Sequence, residues 1–131
     1  MTKASIPSNS NFQPCQIVCL EHENTRLYAE IIQVVDTRQV CWVRPLMLTV
    51  LPQEAADSLH PSLERPILYD LHQSADLVWP IALFRPALDT EVIPFLVRLD
   101  DPDTPLEKNS DANKQLSCFV RQVWQAYKSE F

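Results

Sequence analysis

The chain contains no glycine in its 131 residues. At an average usage of about 7%, a protein of this length would carry roughly nine. Glycine-rich phosphate loops, dinucleotide-binding fingerprints and nucleophile elbows all require backbone conformations that glycine adopts at little cost. The sequence therefore excludes these sites in their usual form. Turns must be built from Asn, Asp and the eleven prolines, and residues 23–25, 36–37 and 100–105 have that composition.

The densest β-forming stretch spans residues 26–51 and is rich in Val, Ile, Leu, Tyr and Trp. It is interrupted by an Asp-Thr-Arg turn and again at Pro45, and no helical periodicity continues across both interruptions. We therefore predict strands at 26–35, 39–44 and 46–51, with a sharp turn at Pro45. Strict alternation assigns the first strand's side chains to two faces: Leu27, Ala29, Ile31 and Val35 on one, and Tyr28, Glu30, Ile32 and Val34 on the other.

Short segments on both sides of this stretch predict further strands. Residues 15–21 and 67–71 are apolar and β-compatible, and residues 75–84 begin as a strand that Pro80 turns into an irregular segment. About five short antiparallel strands followed by helices predict an α+β fold with a small curled sheet, either SH3-like or a partly open barrel. This sheet would span about residues 15–84.

Two helices follow the predicted sheet. Residues at about 90–99 place apolar side chains on one helical stripe, and residues at about 110–129 form the clearest amphipathic helix. The stripe of this C-terminal helix consists of Leu116, Phe119, Val120, Val123, Trp124 and Tyr127. Residues 1–13 are rich in Ser and Asn and lack a periodic apolar pattern, so we predict a flexible N-terminal arm. Residues 14–131 are long enough for one core, and we predict a single α+β domain.

Composition narrows the possible function classes. With 46% hydrophobic and 21% charged residues, the chain is typical of a folded, soluble protein. The longest apolar runs fall short of the roughly 20 residues that cross a bilayer, so we predict no membrane span. The N-terminal residues lack an apolar signal sequence, which predicts a cytoplasmic protein. A net charge of −6 disfavours nucleic acid as a partner, because phosphate binding usually requires a basic surplus.

Four cysteines without a signal sequence are typical of reduced thiols and not of a disulfide framework. The grouping Cys15-x3-Cys19-x2-His22 has the residue types of a zinc site. In a strand, however, the two thiols share a face but lie about 13 Å apart, which is too far to bind one ion. We therefore predict buried structural thiols, with no metal and no cofactor.

Two segments carry a resemblance to a known family. They read RLYAEIIQVVDTRQVCWVRPLML (residues 26–48) and LYDLHQSADLVWPIALFRPALDTEVIPFL (residues 68–96), and they resemble a small uncharacterised protein family of cyanobacteria. The resemblance covers roughly residues 20–95 and part of the C-terminal helix, while the N-terminal arm and residues 54–65 lie outside it. It implies a photosynthetic bacterial host, and it implies no activity, cofactor or catalytic residue.

Tyr69, Asp70 and His72 are the candidates for catalysis or ligand binding. Asp70 and His72 would share a strand face, and an Asp/His pair supports acid–base chemistry when a nucleophile or substrate lies nearby. No nucleophile motif accompanies the pair in the sequence, and such pairs are more often solvated at a protein surface. A small enzyme or ligand-binding protein with a pocket at these residues is therefore the alternative function.

Trp42, Arg44, Trp79 and Arg85 are the candidate binding residues. Trp42 and Arg44 project from one face of the same strand, and Trp79 lies at a junction between strand and turn where SH3-like barrels carry aromatic residues. Trp and Arg are the residues most often found at binding hot spots, although both tryptophans would also suit a core. We therefore predict a non-enzymatic protein-binding or assembly module with a protein partner.

Two further segments are candidate contact regions. The stripe of the C-terminal helix ends at Trp124 and Tyr127, and it covers either its own sheet or the same helix in a homodimer. Residues 53–66 form a long predicted loop. Long loops in small domains are often functional, which makes this segment a candidate as well.

Overall fold

Six strands and two α-helices make up the described part of the chain. The computed structural model describes residues 12–52, 66–101 and 109–131. The strands are β1 (Ile17–His22), β2 (Thr25–Val35), β3 (Val40–Val50), β4 (Ile67–Asp70), β5 (Leu77–Pro80) and β6 (Arg85–Pro86). The helices are α1 (Asp89–Asp100) and α2 (Asn109–Tyr127), and short 3₁₀ turns occupy Ile81–Leu83 and Lys128–Glu130. The predicted loop at 53–66 lies outside the described residues except for Pro66.

The strands form one antiparallel sheet in the order β4-β3-β2-β1-β6. β4 pairs with residues 47–50 of β3, and β5 pairs with residues 40–43 along the same edge of β3. β5 and β6 therefore lie at opposite edges, four strand spacings apart, or about 19 Å in a flat sheet. Residues 81–84 join them, and three of these form a 3₁₀ turn that rises only about 2 Å per residue. Such a link cannot cross a flat sheet, so the sheet curls. It remains open, because β5 and β6 do not pair with each other.

This architecture confirms the predicted α+β class, with a small curled antiparallel sheet and a C-terminal helix. The bounds of α1 and α2 agree closely with the helices predicted at about 90–99 and 110–129. The sheet also contains β6, a strand of two residues that no local pattern indicates. None of the helices in the described part of the chain combines the length and apolar character that crossing a membrane requires.

A β-bulge lets β3 run through Pro45 as one continuous strand. Tyr28 pairs with Met47 and Ala29 pairs with Pro45, so Leu46 is an extra residue on β3. Proline has no N–H to donate to the ladder, and a bulge accommodates the missing bond without ending the strand. The predicted sharp turn at Pro45 is therefore wrong.

A second irregularity, in β2, changes which side chains face the interior. The register shifts between Ile31 and Gln33, which leaves Ile32 as the extra residue. The alternation of β2 is reversed beyond this point, and Val34 packs against the same core as Ile31. The prediction that these two residues lie on opposite faces is wrong, because periodicity alone does not reveal a bulge.

The larger core lies between one face of the sheet and α2. The helix buries Ala112, Leu116, Phe119 and Val123 against this face. Phe12 is only 6% exposed and belongs to the same core. Burying a phenylalanine contributes about 2 kcal/mol, so the chain is anchored at this residue. The predicted flexible arm at 1–13 therefore does not include Phe12, and residues 1–11 lie outside the described residues.

The smaller core lies between the opposite face of the sheet and α1. Its buried side chains are Cys19, Tyr28, Met47, Leu68 and Val92, and Phe95, Leu96 and Leu99 of α1 pack against them. The other half of this face, where β3 pairs with β5, carries the exposed side chains of Trp42 and Val78. Among the described residues, α1 therefore covers only part of the apolar area on this face of the sheet.

Candidate functional site

Trp42 and Arg44 lie near each other on the uncovered half of the sheet. Their neighbours in β3, Cys41 and Val43, point into the larger core and are fully buried. Because successive residues of a strand point to opposite faces, Trp42 and Arg44 point outwards. Trp42 is 38% exposed, and Arg44 is exposed as well. The structure therefore brings these two predicted binding residues together at the surface.

Asp76 holds both of these side chains with one carboxylate. Trp42 Nε1 donates a hydrogen bond to Asp76 Oδ2 at 2.9 Å, and Arg44 Nε donates to Oδ1 at 3.4 Å. The indole has a single N–H donor, so this bond fixes the orientation of the ring. The exposed part of the Trp42 ring is therefore held in one orientation.

Asp76 is not among the site residues predicted from the sequence, although a signal for it exists. β5 pairs with β3 so that Leu77 lies opposite Val43. Extending this register by one residue puts Asp76 opposite Arg44, and opposite charges on neighbouring strands attract each other. An alignment of residues 77–80 against β3, made from the sequence alone, would therefore have predicted the ion pair of Arg44 and Asp76.

Val78 extends the same surface beside Trp42. The two residues are directly opposite each other in the β3–β5 ladder, and Val78 is 60% exposed. On its other side, Trp42 lies opposite Gln33 of β2, which is also exposed. Directly opposite residues of neighbouring strands place their side chains on the same face. This Trp42 surface comprises Trp42, Arg44, Asp76 and Val78.

Trp79 lies on the other face of the sheet from the Trp42 surface. It is only 8% exposed and belongs to the larger core. Its ring contacts that of Phe131 edge-on, with the ring centroids 5.4 Å apart. The structure therefore places Trp79 in the core and does not bring it together with Trp42.

Arg85 lies at the far edge of the sheet, where it forms a network around Glu91. Its Nη1 and Nη2 donate to the two carboxylate oxygens of Glu91 at 3.0 and 2.7 Å. The hydroxyl of Tyr28 donates to Glu91 at 2.6 Å, and Arg26 Nη1 lies 3.5 Å from the same carboxylate. Glu21 lies 3.3 Å from Arg85 and 3.6 Å from Arg26. Two arginines thus face two glutamates, and the charges of the network balance.

The network lowers the pKa of Glu91 to about 2. Hydrogen bonding by Arg85 is the main cause, burial opposes it, and the hydrogen bond from Tyr28 adds to it. Burial is the main cause that raises the pKa of Tyr28, and its bond to Glu91 adds to this effect. Both groups therefore keep one protonation state near neutral pH, which suits a structural role and not proton transfer.

Cys15, Cys19 and His22, which have the residue types of a zinc site, are dispersed in the structure. Cys15 is exposed before β1, whereas Cys19 is buried in the smaller core. The ring of His22 contacts that of Tyr127 edge-on, with centroids 5.7 Å apart. Burial raises the pKa of Cys19 to about 12, and it does the same for Cys41. Among the described residues, no three His, Cys, Asp or Glu side chains lie together as metal ligands would.

The fold brings Asp70 and His72 of the alternative site together, but it places Tyr69 apart from them. Tyr69 is 8% exposed and belongs to the larger core, whereas His72 is exposed on the turn after β4. Asp70 Oδ1 accepts from the backbone N–H of His72 at 3.0 Å and lies 2.5 Å from His72 Nδ1. The carboxylate therefore stabilises the turn in the manner of an Asx turn. The three side chains do not face one common space.

The Trp42 surface combines an oriented aromatic ring, an exposed aliphatic side chain and an ion pair. Comparison with protein-family models, with curated proteins and with solved structures finds no match to the chain. Function must therefore be inferred from the chemistry of the described surfaces.

Proposed function

We propose that the protein is a non-enzymatic protein-binding or assembly module whose partner docks on the Trp42 surface. The observation that carries this proposal is an exposed tryptophan whose indole N–H is held by Asp76, with a 60% exposed valine directly opposite it. Tryptophan and arginine are enriched among the residues that contribute most to binding energy. A ring that is already fixed in one orientation loses less entropy when a partner covers it.

The Trp42 surface has the layout of a small interface. Trp42 and Val78 form its apolar centre, and the ion pair of Arg44 and Asp76 lies beside them. In the isolated protein this pair contributes little to stability, because half of the Arg44 side chain is exposed to water. A partner that covers Trp42 would exclude water from the pair and strengthen its attraction. An apolar centre with polar groups around it is the usual composition of a protein interface.

The groups with the largest pKa shifts support a binding role over catalysis. The Tyr28 hydroxyl donates a hydrogen bond to Glu91, and the Cys19 thiol, with its pKa raised to about 12, stays protonated. Asp70 and His72, which would carry the alternative enzyme function, lie at a surface turn. An active site would need such groups to converge on a space that holds a substrate.

We place this module in the cytoplasm of a photosynthetic bacterium. The resemblance of residues 26–48 and 68–96 to a cyanobacterial family supports the host. Free thiols at Cys19 and Cys41, both buried in the cores, suit a reducing compartment. A protein partner is favoured over nucleic acid because the net charge is −6.

Site-specific photo-cross-linking in the native host tests this proposal. A photoreactive side chain at position 78 would stand next to Trp42, and one at position 97 would stand on α1, where Val97 is 62% exposed. We expect a discrete cross-linked partner from position 78 that position 97 does not capture. Adding Trp42→Ala should abolish this product. The same products from both positions would contradict docking on the Trp42 surface.

A further inference from the structure

A groove of about 510 Å³ lies between α2 and the connection from β4 to β5, on the other face of the sheet from the Trp42 surface. Its apolar lining is formed by Leu77, Leu116 and Val120, with Trp124 at one end. Near the other end, Ser74 Oγ donates to Asn113 Oδ1 at 3.3 Å. This volume is in the range of sites that accept several apolar side chains or a small ligand.

Trp124 belongs to this groove and not to the core. The sequence places it on the apolar stripe of α2, yet it is 48% exposed, whereas the neighbouring Val123 is fully buried. The ring of Trp124 contacts that of Phe131 with centroids 4.8 Å apart, and Phe131 in turn contacts Trp79. These aromatic contacts support Trp124 in its place while half of its surface stays available.

The charges beside the groove are basic. α2 carries Lys114 and Arg121 in a chain whose net charge is −6, and its acidic residue, Asp111, lies in the first turn, before the part of the helix that lines the groove. The two bases are seven residues apart and therefore lie on the same side of the helix. Arg121 is the one charged residue among the described residues that line the groove. Asp76 lies in the sequence between two residues that line the groove, Ala75 and Leu77. Its carboxylate does not line the groove and binds Trp42 and Arg44 of the Trp42 surface.

We infer that this groove binds an amphipathic helix of a second protein, with apolar side chains at three- and four-residue spacing and acidic side chains beside them. The lining of α2 runs from Asn113 to Trp124, which is about 16 Å and matches about three turns of a partner helix. Apolar side chains of the partner fill the groove, and its carboxylates pair with Arg121 and Lys114. This site is separate from the Trp42 surface and does not depend on the function proposed for it.

The charges on α2 favour this occupant over a second copy of the chain. Two-fold pairing of α2 helices would bring Lys114 and Arg121 of one copy towards the same residues of the other. Like charges brought together across an interface repel each other. A small apolar anion would pair with Arg121 but would leave Lys114 unused.

Peptide titration of the full chain labelled with ¹⁵N tests the inference. The probe is a helical peptide of about 18 residues with Leu at helical spacing and Glu elsewhere, and the matched peptide has Lys in place of Glu. We expect saturable amide shifts at residues 74–77 and 113–124 with the Glu peptide, and binding weaker by about tenfold with the Lys peptide. Arg121→Glu should reverse this preference. Arg38→Glu, in an exposed turn, is the charge control and should leave the preference unchanged.

Trp124→Ala should weaken binding of the Glu peptide by at least about tenfold while the amide spectrum keeps the dispersion of a folded chain. Equal affinity for the two peptides, or shifts confined to the Trp42 surface, would overturn the inference. A sedimentation coefficient that rises with protein concentration, and no longer does so in Trp124→Ala, would assign the groove to a second copy. Binding of dodecanoate but not of the Glu peptide at the same residues would assign it to a small apolar anion.

Discussion

Tyr28 and Glu91 are joined by a hydrogen bond of 2.6 Å although they lie 63 residues apart in the chain. The bond connects β2, in the middle of the sheet, with the first turn of α1. Arg85 of β6 binds the same carboxylate at 2.7 Å, and the backbone N–H of Leu88 donates to it at 3.2 Å. Glu91 therefore fixes the start of α1 on the sheet. The position of α1, in turn, leaves Trp42 uncovered.

The free energy of unfolding should decrease as the pH is lowered through the range in which Glu91 becomes protonated. The pKa of its carboxyl group is lowered from 4.5 to about 2 in the folded chain. Such a group contributes stability above its unfolded pKa and loses this contribution as the pH falls towards its folded pKa. We expect about 1–2 kcal/mol, after allowance for the exposure of Arg85 to water, to be lost between about pH 4.5 and 2. Denaturant unfolding across this range measures the loss.

Glu91→Gln separates this carboxylate from the other acids of the chain. The variant should be less stable than the wild type by about 1–2 kcal/mol at neutral pH, and this difference should shrink as the pH approaches 2. Glu21→Gln is the matched control, because Glu21 contacts the same Arg85 but is 43% exposed, and it should cost under about 0.5 kcal/mol. A stability difference for Glu91→Gln that does not change with pH would contradict the role assigned to the network.

Two of the four cysteines should react rapidly with a chromogenic disulfide reagent in the folded chain. Cys15 and Cys118 are exposed, whereas Cys19 and Cys41 are fully buried. Burial raises the pKa of both buried thiols to about 12, so they are neither accessible nor ionised near neutral pH. We expect two equivalents of rapid reaction in the native protein and four in denaturant. Rapid reaction of all four thiols in the native protein would show that the cores do not exclude the reagent.

The absence of glycine has a measurable consequence in the hairpin between β1 and β2. His22 pairs with Thr25, so the loop has two residues, and the first of them, Glu23, has a φ of 54°. Glycine is the usual residue where a two-residue hairpin loop needs a positive φ at its first position. A residue with a side chain costs about 1–2 kcal/mol at this φ, and glycine would remove this cost. The greater freedom of glycine in the unfolded chain offsets part of the stability gained in this way. We expect Glu23→Gly to raise the free energy of unfolding by about 0.5–1 kcal/mol.

Glu23→Ala is the control for this change. Both variants lose the 3.9 Å contact between Glu23 and His22, but alanine keeps the Cβ atom that makes a positive φ unfavourable. Thermal unfolding should therefore show a higher melting temperature for Glu23→Gly than for Glu23→Ala. Equal melting temperatures would mean that the turn relaxes without strain.

Most of the fold could be predicted because its signals are local. The stripe that contains Val92 and Leu99 marks the buried side of α1, and the alternation around Val43 marks the buried face of β3. The bulges at Ile32 and Leu46 could not be predicted, since a bulge depends on how two strands pair and not on the sequence of one. β6, with two residues, depends on pairing with β1 in the same way.

The candidate site could be predicted only in part, for the same reason. Trp42 and Arg44 share a face of one strand, so alternation alone brings them together. Asp76 completes the site through the register between β3 and β5, which local patterns do not give. Trp79 carries the same aromatic signal as Trp42 but lies in the larger core, because it occupies the opposite face of β5 from Val78.

The most direct test of the central claim uses the partner that is cross-linked at position 78. Its affinity should be measured for three forms of the protein. Isothermal titration should compare the wild type, Trp42→Ala and Val97→Ala, the last as an exposed apolar control on α1. If Trp42 anchors the partner, Trp42→Ala should weaken binding by at least about thirtyfold, the effect of losing a hot-spot residue. Val97→Ala should change it by less than about twofold. An unchanged affinity for folded Trp42→Ala would contradict the Trp42 surface as the docking site.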